Sequence, residues 1–140
     1  MQCKHVKGVT TVPKIISAAN EDDFKLQYKE LLQHARSPKG IVYVWRSVAD
    51  IPRVRGSSPI IYIGKANGSL YKRYIDQISN ESKEYWSRFN YIIKTYGSIS
   101  IDIYETDNPA YTENIFLYQY HQKCMELPPI NLQSYKAGML

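Results

Sequence analysis

Gly40-Ile41-Val42-Tyr43-Val44-Trp45, followed after a polar stretch by Ile60-Ile61-Tyr62-Ile63-Gly64-Lys65, is the part of the chain whose reading decides the fold. Both runs are rich in β-branched and aromatic residues, which suit a pleated, packed surface, so each is expected to form a strand. The polar residues up to Ser58 read as a long loop that lets the two strands pair as a hairpin. From Ser69 the pattern turns helical, with Leu70, Tyr74 and Ile78 at i, i+4 and i+8. A further helical stretch covers about 83–96, and Gly97 is its stop signal.

Working outward, Ser98-Ile99-Ser100-Ile101-Asp102-Ile103-Tyr104 alternates isoleucine with polar residues, which predicts a half-buried strand. Asp107-Asn108-Pro109 supplies a cap and a first-turn proline for a helix expected to reach about Glu126, where Leu127-Pro128-Pro129 ends it. The tail, 130–140, reads as irregular. Upstream, Gly8-Val9-Thr10-Thr11-Val12 reads as an edge strand or arm. Asn20 before Glu21, Asp22 and Asp23 starts a packing helix that ends near Ser37-Pro38. The order is that of one α+β domain with a small sheet, residues 1–38 being an arm and packing helix and 39–140 the core.

A length of 140 residues fits one compact domain. Hydrophobic residues at 44% and charged residues at 22% match an ordinary globular protein and argue against disorder. No run approaches the roughly 18 apolar residues of a bilayer span, and the N-terminus lacks the apolar core of a secretory signal, so a cytoplasmic, intracellular protein with no membrane partner is expected. Cys3 and Cys124 are far apart and show no metal-ligand spacing; they read as reduced thiols. A net charge of +5 and a pI near 9.1 favour a polyanionic partner.

Three pieces, Gly40-Ile41-Val42-Tyr43, Tyr62-Ile63-Gly64-Lys65 and Leu70-Tyr71-Lys72-Arg73, resemble in order and spacing the signature of the GIY-YIG nuclease family. Gly40 stands one residue early, so Tyr43 takes the place of the first motif's tyrosine. The family's later glutamate and asparagine match Glu113 and Asn131. This resemblance implies a small antiparallel sheet flanked by helices and a metal-dependent endonuclease that hydrolyses DNA phosphodiester bonds. It implies Tyr43, Tyr62, Arg73 and Glu113 as the catalytic set, with Glu113 holding one divalent ion, Mg2+ or Mn2+ in its place. Arg73 would reach the scissile phosphate, where a planar fork of donors neutralises charge. Tyr43 would be the general base or position the water, with Tyr62 its hydrogen-bonding partner; a phenolate at neutral pH needs nearby positive charge, from Lys65, Arg73 or the metal. Lys65, Tyr74 and Asn131 would support the site. Gln77 departs from the family, which often has histidine or tyrosine there, and that role passes to Tyr74 or is lost.

The residues themselves add two readings. At about 100° per residue, Glu113, Leu117, Tyr120, Cys124 and Leu127 share one stripe of the last helix, so the carboxylate heads an apolar face and needs a partner, whether a metal, the helix dipole or a structural arginine. Arg46, Arg53 and Arg55 in the polar loop, with Lys65 and Lys72, are candidates to follow a DNA backbone, the alternative being a solvated loop. Self-association into a homo-oligomer is one way so small an enzyme could cut both strands. The rival reading is a non-catalytic nucleic-acid-binding or protein-interaction module that retains the GIY-YIG fold.

Overall fold

The computed structural model describes residues 1–36 and 39–140. Its centre is a four-stranded antiparallel sheet in the order β1-β4-β2-β3, formed by β1 (Val6–Thr11), β2 (Ile41–Pro52), β3 (Ser57–Ala66) and β4 (Ile99–Thr106). The fold is therefore α+β, as the order of elements predicts. The arm becomes the edge strand β1 on β4, so residues on both sides of position 38 share one sheet.

Ile41 to Trp45 in β2 are all buried, with no polar side to the strand. The reason is that helices cover both faces of the sheet. Ile41, Tyr43 and Trp45 point into one core, packed by α1 (Glu21–Gln33) and α3 (Ile78–Tyr96), whereas Val42 and Val44 point into a second, packed by α4 (Pro109–Cys124). β4 behaves likewise: Ile99, Ile101 and Ile103 enter the first core, and on the other side Asp102 is buried with Arg46 (2.6 Å) and Thr11 (2.7 Å) as partners.

Local chemistry explains the helix ends. The Asn20 side chain accepts from Asp23 N at 2.8 Å and opens α1. A 13-residue helix is marginal alone in water, so α1 depends on docking Phe24, Tyr28, Leu31 and Leu32, each contributing about 1.5–3 kcal/mol when buried. It ends at Gln33, short of the expected stop at Ser37-Pro38, which lies outside the described residues. Ser69 caps α2 (Leu70–Tyr74), but the predicted Leu70, Tyr74, Ile78 stripe crosses a 3-10 turn, Ile75–Gln77, before α3 begins. No proline or glycine marks that change, so periodicity reads it as continuous helix. Gly97, at φ +94°, ends α3 as expected.

The largest departure is in the polar stretch 46–58. It is not a long loop: the hairpin arms continue to Pro52 and from Ser57, leaving a four-residue connection that contains Gly56 at φ +69°. The register shifts after Trp45 and again before Ile51, so this distal part pairs irregularly. Its tip folds back on the end of α4. There Arg53 meets Glu126 (2.5 Å) and the Leu127 carbonyl (2.7 Å), Val54 N donates to the other Glu126 oxygen, and the Arg55 guanidinium donates to the Lys123 (3.0 Å) and Gln122 carbonyls. A cation on those carbonyls also answers the negative end of the helix dipole. α4 itself starts on the Asn108 cap and Pro109 as predicted, but stops at Cys124, with Met125 in the left-handed conformation.

Candidate active site

β3 is an outer strand, and helices from both faces of the sheet reach its outer edge. A cleft of about 390 Å3 lies there, lined by Tyr62, Lys65, Arg88, Glu113, Asn131 and Lys136 among others. The hairpin register sets its inner wall. Tyr43 sits opposite Gly64 and Trp45 opposite Tyr62, so the two motif tyrosines are diagonal neighbours on one face, ring centroids 6.0 Å apart. Gly64 makes this arrangement fit: a Cβ there would stand 2.5 Å from Cζ of Tyr43. The ring of Tyr43 crosses the strand over the glycine.

The two tyrosines differ in access. Tyr43 is 1% exposed, and its hydroxyl hydrogen-bonds that of Tyr74 at 2.8 Å. Burial, reinforced by Tyr74, holds the Tyr43 phenol well above its ordinary pKa. Tyr62 is half-buried and faces the cleft; burial raises its pKa too, with Tyr74 and Glu113 adding to the rise and Arg88 and Tyr43 opposing it. Among the protein's own groups, burial outweighs the nearby positive charge at both phenols. The sequence reading has Tyr43 as the base or water-positioning group and Tyr62 as its partner; of the two, Tyr62 lines the cleft and Tyr43 is covered.

Glu113, in the first turns of α4, is half-buried in the cleft with Lys65 Nζ 3.7 Å from its Oε1. Burial raises its pKa, against the pull of Lys65, Arg73 and Lys136. Leu117, Tyr120 and Cys124 continue its stripe into the second core, as the helical spacing predicts, whereas Leu127 lies beyond the helix. Arg73 is outside the cleft lining, on the exposed side of α2. Its guanidinium donates to the Lys65 carbonyl at 3.0 Å and stands 5.4 Å from the centre of the Tyr74 ring. Burial works against its charge, but Tyr74 and Tyr43 more than offset this and its pKa rises. It thus borders the Lys65 and Glu113 pair from the neighbouring helix.

Asn131 has both halves of its amide on one residue of β3: Oδ1 accepts from Ile63 N (2.9 Å) and Nδ2 donates to Ile63 O (2.8 Å). This fastens the start of the tail beside Tyr62. Gln77 and Lys72 are exposed and line no part of the cleft. The other arginines proposed for a DNA backbone are engaged within the fold: Arg46 with Asp102, and Arg53 and Arg55 with the end of α4. Arg88, Asn114 and Lys136 are among the cleft residues that escape the sequence reading. Arg88 comes from α3 and donates to the Ile130 carbonyl (2.9 Å), Asn114 follows Glu113, and Lys136 comes from the tail. Arg88 could have been suspected, one helical turn past Glu84 on an amphipathic helix; nothing local marks the other two.

A divalent ion is implied by the resemblance, and the donor set can be tested for fit. Among the described residues no three His, Cys, Asp or Glu side chains gather, so Glu113 is the carboxylate available in this cleft. Mg2+ suits such a place because it keeps several waters and takes one or two carboxylates plus substrate phosphates. A desolvated carboxylate whose ammonium partner is as far as 3.7 Å is consistent with that fit. No helix among the described residues is long and apolar enough to cross a membrane. Searches of family models, curated proteins and solved structures found no match to the chain.

Proposed function

We propose that the chain is a metal-dependent endonuclease of the GIY-YIG type that hydrolyses DNA phosphodiester bonds. The observation that carries this reading is the meeting, on one cleft, of Tyr62, Lys65, Glu113 and Asn131 from β3, α4 and the tail, with Arg73 hydrogen-bonded at its border. Tyr62 and Lys65 share one strand, but Glu113 and Asn131 come from far along the chain, and the motif spacing alone would not require them to meet there. Sheet order adds support, since the two motif strands are adjacent and the first is central.

Phosphodiester hydrolysis needs a placed water, neutralisation of charge on the phosphoryl oxygens and help for the departing oxygen. Glu113 holds the divalent ion, which when bound supplies Lewis acidity toward the phosphate. Lys65 and Arg73 supply fixed positive charge on the same side. Tyr62, which lines the cleft, donates a hydrogen bond to a phosphate oxygen or orients the water. Tyr43 works through others: its bond to Tyr74 fixes the two aromatic rings that support Tyr62 and Arg73.

Incubation of the full chain with supercoiled plasmid, with and without Mg2+, tests the proposal. Nicked or linear product only with the metal is expected. Intact plasmid that is nevertheless bound would favour the rival, a binding module that keeps the fold without cleavage. Neither binding nor cleavage would refute both.

A further inference from the structure

The tail forms a wall of the cleft, and Asn114 determines where that wall stands. Asn114 is 6% exposed and commits its whole amide to the backbone of Lys136, 22 residues away: Nδ2 donates to Lys136 O at 2.9 Å and Oδ1 accepts from Lys136 N at 2.6 Å. Tyr135, the preceding residue, packs edge-on against Tyr118 (5.2 Å) and His121 (5.5 Å) of the same helix. An asparagine so buried, with both donor and acceptor matched to one distant residue, holds that residue to a single place. Because Asn114 is the neighbour of Glu113, the Lys136 backbone is fixed one position along the helix from the carboxylate of the site. The Lys136 side chain lines the cleft, is exposed, and forms no ion pair among the described residues. By contrast Lys65 already faces Glu113, and Arg73 is bonded to a carbonyl.

We propose that Lys136 is a second phosphate-holding residue of this cleft and that Asn114 is the positioning residue that puts it there. The inference rests on the nuclease reading and extends it: the cleft grips a polynucleotide backbone from the tail as well as from β3 and α2. A compact ammonium on a flexible stem, close enough to Glu113 to feel its charge but not held in an ion pair with it, suits a phosphate oxygen approaching from solvent. The anchored backbone keeps that stem within reach of the strand.

The test measures affinity of the full chain for a short labelled DNA duplex across a salt series without divalent metal, and nicking kinetics with Mg2+. Lys136→Ala should reduce the slope of log affinity against log salt by about 0.9, the loss of one phosphate contact. It should raise KM several-fold with a smaller change in kcat, and Lys136→Arg should restore both. Asn114→Ala, checked for folding by thermal melt, should lose the same part of the slope although Lys136 is still present. An unchanged slope in Lys136→Ala overturns the proposal and leaves the nuclease reading standing. If Lys136→Ala loses slope while a folded Asn114→Ala keeps it, the positioning role is overturned. Wild-type protein that binds no DNA removes the nuclease reading first and this inference with it.

Discussion

Gly64→Ala adds one methyl group at the point where two strands and a tyrosine ring meet. The added carbon would lie 2.5 Å from Cζ, 2.6 Å from the hydroxyl oxygen and 2.7 Å from Cε2 of Tyr43, whereas carbon pairs are comfortable at about 3.5–4.0 Å. The ring or the strand must therefore move by about 1 Å. Tyr43 has little room, being 1% exposed between Tyr62 and Tyr74. Overpacking of this kind costs about 1–3 kcal/mol. Pulling the Tyr43 hydroxyl from Tyr74 costs about 1 kcal/mol more, so a loss of about 2–4 kcal/mol is expected. For a chain of this length each kcal/mol lowers Tm by about 3 °C, which places the variant about 6–12 °C below wild type in a calorimetric or circular-dichroism melt. In a Tyr43→Ala background the methyl group meets no ring, and the further loss should fall below about 0.5 kcal/mol. A Gly64→Ala protein melting within about 2 °C of wild type, or showing the same loss in both backgrounds, would refute the steric argument.

Glu113→Ala should abolish Mg2+-dependent nicking yet leave DNA affinity unchanged or improved, because it removes a negative charge from a surface that approaches phosphates; gel nicking and anisotropy measure the two separately. Tyr62→Phe should lower kcat more than Tyr43→Phe, since only the first deletes a hydroxyl facing the cleft, and the opposite ranking would return the principal role to Tyr43. The proton linkage of Glu113 has a definite sign: its folded pKa is raised, so its favourable contribution is full below the unfolded value of 4.5 and is lost as pH rises through the folded one. Glu113→Gln should consequently gain Tm relative to wild type at pH 7 but not at pH 4, and an equal difference at both would contradict the linkage. Arg53→Ala should lose about 2 kcal/mol in urea denaturation by leaving Glu126 without its cation, while the salt dependence of DNA binding stays as in wild type.

How much could be read in advance follows from the range of the forces involved. The β2, β3 and β4 cores and the starts of α1 and α4 were legible because periodicity and caps act over a few residues: Ile99, Ile101 and Ile103 alternate, and Asn20 and Asn108 accept from amides three positions on. The 46–58 stretch was not, because Ser47, Asp50, Pro52 and Arg53 break any apolar pattern, and what secures its tip lies far away. Arg53 finds Glu126 across 73 residues, so a segment that looks like a basic loop is a pinned hairpin. The site divides in the same way. Tyr62, Lys65, Glu113 and Asn131 carry motif spacing, whereas Arg88, Asn114 and Lys136 belong to the cleft only because the chain folds back on itself. Access to water is likewise a tertiary property, and nothing in Tyr43 or Tyr62 alone distinguishes the covered phenol from the open one.

The amide of Asn131 also protects the fold against itself. An outer strand presents unpaired backbone groups that another chain can extend, which is how native sheets seed aggregates. On β3 the Ile61 carbonyl is taken by Ile130 N and both groups of Ile63 by Asn131, so the tail serves as a short surrogate strand along that border. Trimming the chain back to residue 129 would therefore do two unrelated things at once: dismantle one wall of the cleft and leave a sticky seam beside it. A shortened protein of this kind would fail through clumping, and its inactivity would carry no information about catalysis.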